Sequence, residues 1–79
     1  MDEADIIIDA RGHRCPAPTL RLRKALEAAA DGVRIQLLAD DPMALIDVPL
    51  FLKQAGYYLE KHMKMGTVIT FDIVKAAPP

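Results

Sequence analysis

The 79-residue chain has no tryptophan, two tyrosines, two phenylalanines and a single cysteine, Cys15. One cysteine cannot close a disulfide within the chain, so nothing in the sequence asks for an oxidising compartment, and a cytoplasmic location is expected. Aromatic side chains this scarce offer no platform for stacking bases. A formal net charge of -1 gives no field to hold a polyanion, so direct nucleic-acid binding is not expected. Long apolar runs are missing too. Ile6-Ile7-Ile8 and the stretch from Val48 to Leu52, broken by Pro49, fall far short of the roughly 18 residues a membrane span needs. No membrane partner is expected. The start, Met1-Asp2-Glu3-Ala4-Asp5, is acidic where a secretory leader would be basic. There is no Cys-x-x-Cys pair, no zinc-type cluster and no repeat.

At this length a single domain is expected over residues 1–79, with 1–4 and 76–79 as frayed ends. A domain so small buries only about 60% of the surface of its unfolded chain. Its function is therefore expected on the surface or on one exposed group.

Ile6-Ile7-Ile8 reads as a short buried strand leading to a turn at Arg11-Gly12. From Pro16 the pattern becomes helical, with Pro18, Leu22, Ala25, Leu26 and Ala29 recurring at three- and four-residue steps until Asp31-Gly32. Gly32 suits a left-handed closing position. Val33 to Ala39 alternates as a half-buried strand does, and strand, helix, strand with short joints predicts a parallel βαβ unit. Asp40-Asp41-Pro42 makes a turn. Asp47 is predicted to cap a second helix starting near Val48, since Pro49 is tolerated in a first helical turn. Val48, Phe51, Leu52 and Ala55 supply its apolar stripe, and Gly56 ends it. Tyr57 to Met65 and Val68 to Lys75, joined at Gly66-Thr67, read as a hairpin. The expected fold is an α+β two-layer sandwich of order β-α-β-α-β-β, a four-stranded mixed sheet with two helices on one face.

A lone cysteine is by default a small buried hydrophobe. Cys15 stands elsewhere, after a Gly12 turn and at the predicted start of a helix, where a thiolate faces free backbone donors and the positive end of the helix dipole. With Cys15 as cap, Pro16 and Pro18 take the first and third helical positions and remove two backbone N–H groups. The N–H of Ala17 is then the natural donor to the sulfur. Because a residue before proline disfavours helical angles, either Ala17 is strained or the helix starts nearer Pro18.

Charge adds to this picture. Arg11, Arg14, Arg21, Arg23 and Lys24 place five cations within fourteen positions, with Arg14 adjacent to the thiol and His13 two residues away. Such surroundings lower a cysteine pKa from about 8.5 into roughly the 3.5–7.5 range, with Asp9 opposing if it comes near. The same cations also suit a surface for docking a partner, or simply a solvated helix face. His13 and Cys15 are two potential metal ligands, but His62 lies far along the chain on a predicted strand, so no metal site is expected. A His13–Cys15 nucleophile pair would need a third group to orient the histidine, and none is evident.

The run Asp9-Ala10-Arg11-Gly12-His13-Arg14-Cys15-Pro16-Ala17-Pro18 resembles the Cys-Pro-x-Pro signature of the TusA/SirA-like sulfur-transfer proteins. Ala39-Asp40-Asp41-Pro42, followed by Asp47-Val48-Pro49, and the closing Phe71-Asp72-Ile73-Val74-Lys75 extend the resemblance over nearly the whole chain. It implies the same βαβαββ fold and a sulfurtransferase-type carrier with a transient persulfide on Cys15 and no resident cofactor. It also implies a cysteine desulfurase or other persulfide donor, and a downstream acceptor in tRNA thiolation, sulfur oxidation or cofactor assembly. Two positions depart from the pattern. His13 stands where the family usually has an apolar residue, and Tyr57 where a histidine is frequent. The alternative class is a non-catalytic interaction module whose apolar turn, Met43, Leu45 and Ile46, binds a partner. For Met43 and Leu45, packing within the turn or the edge of the core is the simpler expectation.

Overall fold

The computed structural model describes residues 4–14 and 17–75. The N-terminal apolar run forms strand β1 (Ile6–Asp9), and the first amphipathic stretch forms helix α1 (Ala17–Ala28). The alternating segment is strand β2 (Arg34–Ala39), followed by helix α2 (Ala44–Ala55). The hairpin comprises β3 (Tyr58–Met65) and β4 (Val68–Val74). This is the expected β-α-β-α-β-β order. Gly32 takes the left-handed conformation, with φ +87°.

The sheet runs β1-β2-β4-β3. β1 lies parallel to β2, with Ile6 opposite Ile35 and Ile8 opposite Leu37. β4 lies antiparallel to β2, setting Ile73 opposite Ile35, Phe71 opposite Leu37 and Ile69 opposite Ala39. Side chains alternate along a strand, so all these residues share one face, and that face is the buried one. Both helices pack on it. α1 contributes Pro18, Leu22 and Leu26, and α2 contributes Ala44, Val48 and Leu52, each set spaced four residues apart along one helical stripe. Each of the larger buried side chains stabilises the fold by about 1.5–3 kcal/mol relative to exposure.

One extra residue in β3, between Leu59 and Lys61, shifts the register so that both Leu59 and His62 fall opposite core-face residues, Ile73 and Phe71. The His62 ring then lies over Phe71, with centroids 6.2 Å apart. At the other end of β4, the Lys75 Nζ donates to the carbonyls of Leu26 (2.5 Å) and Ala29 (2.6 Å). A cation is thereby placed at the carbonyl end of α1, where it meets the negative end of the helix dipole.

The second helix departs from the expectation. It begins at Ala44, four residues before Val48, and Asp47 is not its cap. Asp47 sits within the first turn, where its N–H donates to the Met43 carbonyl at 2.8 Å. The turn is instead organised by Asp41, whose Oδ1 accepts from the Met43 N–H (3.0 Å) and whose carbonyl accepts from the Ala44 N–H (2.9 Å). Pro42, lacking an N–H, occupies the entrance that the sequence reading gave to Pro49. Pro49 lies inside the helix, so the Leu45 carbonyl has no N–H from position 49 to accept. The stripe differs as well: Ala44 is buried, Phe51 is half-buried and Ala55 is exposed. Met43 and Ile46 are 49% and 61% exposed, whereas Leu45 packs against the core. The packing expected of Met43 is therefore found for Leu45 alone.

Among the described residues no helix is long and apolar enough to cross a membrane.

Candidate functional site

The chain leaves the sheet just before Cys15. Ala10 is fully buried and makes the last contact with the neighbouring strand, its N–H donating to the Leu38 carbonyl at 2.8 Å. Gly12 then turns the chain with φ +83°, a conformation that L side chains adopt at a cost. Its N–H points at the carboxylate of Asp40, 2.9 Å from Oδ1 and 3.0 Å from Oδ2. The His13 N–H folds back onto the Ala10 carbonyl at 3.2 Å. Gly12, His13 and Arg14 are exposed, and with Asp40, Asp41 and Pro42 they line an open cleft of about 410 Å³. The cleft thus carries cationic and polar groups on one wall and two carboxylates on the other.

Cys15 and Pro16, the first two residues of the signature, lie outside the described residues. On their far side α1 begins at Ala17, and Pro18 is buried, anchoring the first turn to the core. The N–H of Ala17 donates to the Arg14 carbonyl at 2.9 Å. The expected contact of this amide with the sulfur lies outside the described residues, and among those described its acceptor is Arg14. The amide ties together the residues on either side of positions 15 and 16.

The cations divide into distinct groups. Arg11 does not line the cleft. Its Nε and Nη2 hold the Asp9 carboxylate at 2.9 and 2.8 Å, and its N–H adds a third bond at 3.1 Å. These side-chain and backbone hydrogen bonds hold Asp9 at about 2, below its ordinary 3.8, and in turn raise the Arg11 pKa. Asp9, which the sequence set against the thiolate, is thereby paired. Arg21 is also engaged, its Nη1 donating to the Asp9 carbonyl at 2.7 Å. Arg23 pairs with Glu27 at 3.4 Å along the exposed face of α1, where such a pair contributes little. Lys24 is exposed on the same helix.

Of the residues singled out in the sequence, the structure therefore brings Gly12, His13 and Arg14 to one cleft. Arg21, Arg23 and Lys24 are not among its lining residues. Arg23 instead borders a second groove of about 280 Å³, with Glu27, Phe51, Gln54, Ala55 and Tyr57. Phe51 and Tyr57 meet there, with ring centroids 6.3 Å apart, so the departure at Tyr57 belongs to that groove and not to the cleft. Asp40 was missed as a contributor. The paired acids after an alternating strand were visible, but a bond to a residue 28 positions away leaves no local pattern.

Residues 6–75 match the family model described as sulfurtransferase TusA. A protein of Archaeoglobus fulgidus described as a sulfur carrier is 38% identical over 68 residues, covering 86% of this chain and 88% of that one. The sulfur carrier protein TusA of Allochromatium vinosum is 36% identical over 76 residues, covering 96% of this chain and all of the relative. The crystal structure of a SirA-like protein from Desulfitobacterium hafniense superposes with a TM-score of 0.78 at 32% identity, covering 90% of this chain and 97% of that one. With the family model spanning all six elements of the fold, the chain belongs to the TusA family of sulfurtransferases.

Proposed function

We propose that the protein is a sulfur carrier in which Cys15 is the nucleophile and the sulfur-bearing atom. The Cys15 thiolate attacks the terminal sulfur of a donor persulfide. A new sulfur–sulfur bond forms, the donor's own sulfur–sulfur bond breaks, and the donor leaves as a thiolate. The step exchanges one disulfide-type bond for another, so it needs no outside oxidant or reductant. Onward transfer repeats it, with an acceptor thiolate attacking the outer sulfur of the Cys15 persulfide. A chain with a single cysteine can hold the sulfur but cannot release it through an internal disulfide.

One observation carries this reading: in a member of the TusA family, the residues leading into the sole thiol line an open cleft. The cleft admits a partner's reacting sulfur from outside, as transfer between two proteins requires. Arg14 is the cation on its wall, suited to an anionic sulfur, with the His13 imidazole beside it, while Lys24 and Arg23 offer contacts to a docking partner further along α1. The donor is a cysteine desulfurase or another persulfide-bearing protein, and the acceptor is a protein of a sulfur relay. A reducing, cytoplasmic setting suits a carrier that needs its thiol free.

The test is incubation with a desulfurase and cysteine followed by intact mass measurement. A gain of one sulfur that disappears in Cys15→Ala is expected; no gain, or a gain that survives the substitution, overturns the assignment.

A second reading, a non-catalytic interaction module, draws on one feature. Met43, Ile46 and Leu50 are all about half exposed or more and recur along one side of α2 at helical spacing. Thiol alkylation across pH separates the two. A carrier thiol reacts with a midpoint well below the free value of about 8.5, whereas an incidental one reacts near it.

A further inference from the structure

We infer that Asp40 is a positioning residue for sulfur transfer: from the end of β2 its carboxylate grips the Gly12 amide and so holds in place the segment that delivers Cys15. The inference rests on the reading of Cys15 as the sulfur-bearing thiol. Once past the Ala10–Leu38 hydrogen bond, the chain has left the sheet. Fixing each free backbone residue costs conformational entropy, and Gly12 is the most permissive residue of the segment. Two of the remaining bonds, His13 N–H to the Ala10 carbonyl and Arg11 N–H to Asp9, shape the turn but tie it to its own neighbours.

The contact with Asp40 is different in kind. It spans 28 residues and reaches the end of the adjoining strand, so it fixes the turn relative to the sheet and to the opposite wall of the cleft. Its geometry is nearly symmetrical, at 2.9 and 3.0 Å, with one N–H shared by both carboxylate oxygens. The neighbouring acid, Asp41, accepts from the Met43 N–H at the entrance of α2.

The experiment compares three variants with the wild type. Asp40→Ala removes the acceptor, Asp40→Asn keeps an acceptor oxygen without the charge, and Asp40→Glu keeps the charge but displaces it by one methylene. The initial rate of persulfide loading from a desulfurase and the pH midpoint of Cys15 alkylation by iodoacetamide are read for each, with thermal melting as the check on folding. Asp40→Ala and Asp40→Glu are expected to load about tenfold more slowly, equivalent to ~1.4 kcal/mol. Their alkylation midpoint moves toward the free-thiol value of about 8.5. Asp40→Asn is expected to restore loading to within about threefold of the wild type, with the midpoint left in place.

Equal defects in Asp40→Asn and Asp40→Ala would assign the effect to charge and overturn the inference. So would a wild-type rate and midpoint in Asp40→Ala. If Asp40→Ala fails to fold, the contrast between Asp40→Glu and Asp40→Asn decides the matter alone. A wild type that never loads overturns the carrier reading, and with it a role in transfer. The alkylation midpoints then still report whether Asp40 holds the thiol segment.

Discussion

Replacing Gly12 with L-alanine separates two costs that a glycine in a tight turn can hide. A Cβ built at this position meets no heavy atom of the described residues beyond its chain neighbours within 4 Å, so they offer no steric exclusion. What remains is the backbone. At φ +83° an L residue is strained by roughly 1–2 kcal/mol, whereas the mirror-image D residue prefers that region. The hydrogen bonds from the position-12 amide to Asp40 are available to either. Gly12→Ala is therefore expected to lower stability by about 1–2 kcal/mol. In a domain of this size, each kcal/mol corresponds to a fall in melting temperature of roughly 4–8 °C. D-alanine at the same position, introduced by chemical synthesis, is expected to be neutral or to stabilise by up to about 1 kcal/mol, because it restricts the unfolded chain without straining the folded one. Urea denaturation with an unchanged slope reads both. L-alanine as stable as glycine would show that the turn does not need positive φ. Equal losses for the two enantiomers would show that a Cβ meets an obstacle there.

Phe71→Ala, at the centre of the buried sheet face, is expected to cost about 3–5 kcal/mol in urea unfolding, a large share of the stability of a small domain; a loss below about 1 kcal/mol would contradict the packing described. Lys75→Met removes the ammonium from the Leu26 and Ala29 carbonyls and is expected to lower stability by about 1–2 kcal/mol, with α1 amides near its end exchanging faster; exchange changes confined to β4 would argue against the cap. Asp9, with its pKa lowered to about 2 from 3.8, contributes stability that is complete above about pH 4 and is lost as pH falls through 2. A carboxyl NMR titration is expected to find the Asp9 midpoint near 2 and to see it rise toward 3.8 in Arg11→Met. A wild-type midpoint already at 3.8 would dispose of the Arg11 pairing.

The elements that the sequence made legible were those written in local periodicity. Pro18, Leu22 and Leu26 mark α1 because a four-residue step is the repeat of a helix face, and Ile35, Leu37 and Ala39 mark β2 because a two-residue step is that of a strand. The start of α2 lies four residues before the one that proline in the first turn implies for Pro49, because Pro42 stands in the turn just ahead of the helix and Pro49 is carried inside it. Ala44, small and adjacent to the turn, gave too weak an apolar signal to mark that earlier start. In the candidate site, the sequence pointed to the segment Gly12 to Arg14, which lines the cleft, but not to the partners of its groups. The Ala17 amide is taken by Arg14, Arg21 by the Asp9 carbonyl, and Gly12 by Asp40. Each bond depends on how the chain returns in three dimensions. The family signature could mark Asp40-Asp41-Pro42 as part of the pattern, but only the fold showed that Asp40 reaches across to the thiol segment.

The most direct test of the central claim follows a single sulfur atom. A desulfurase is supplied with cysteine carrying heavy sulfur, the carrier is isolated after one turnover, and the Cys15 peptide is sequenced by mass spectrometry. The account predicts one heavy sulfur on the Cys15 side chain, released as heavy sulfide by a thiol reductant and passed to an acceptor thiol when one is added. A Cys15 peptide without the label, in protein shown to be folded and reduced, would contradict it.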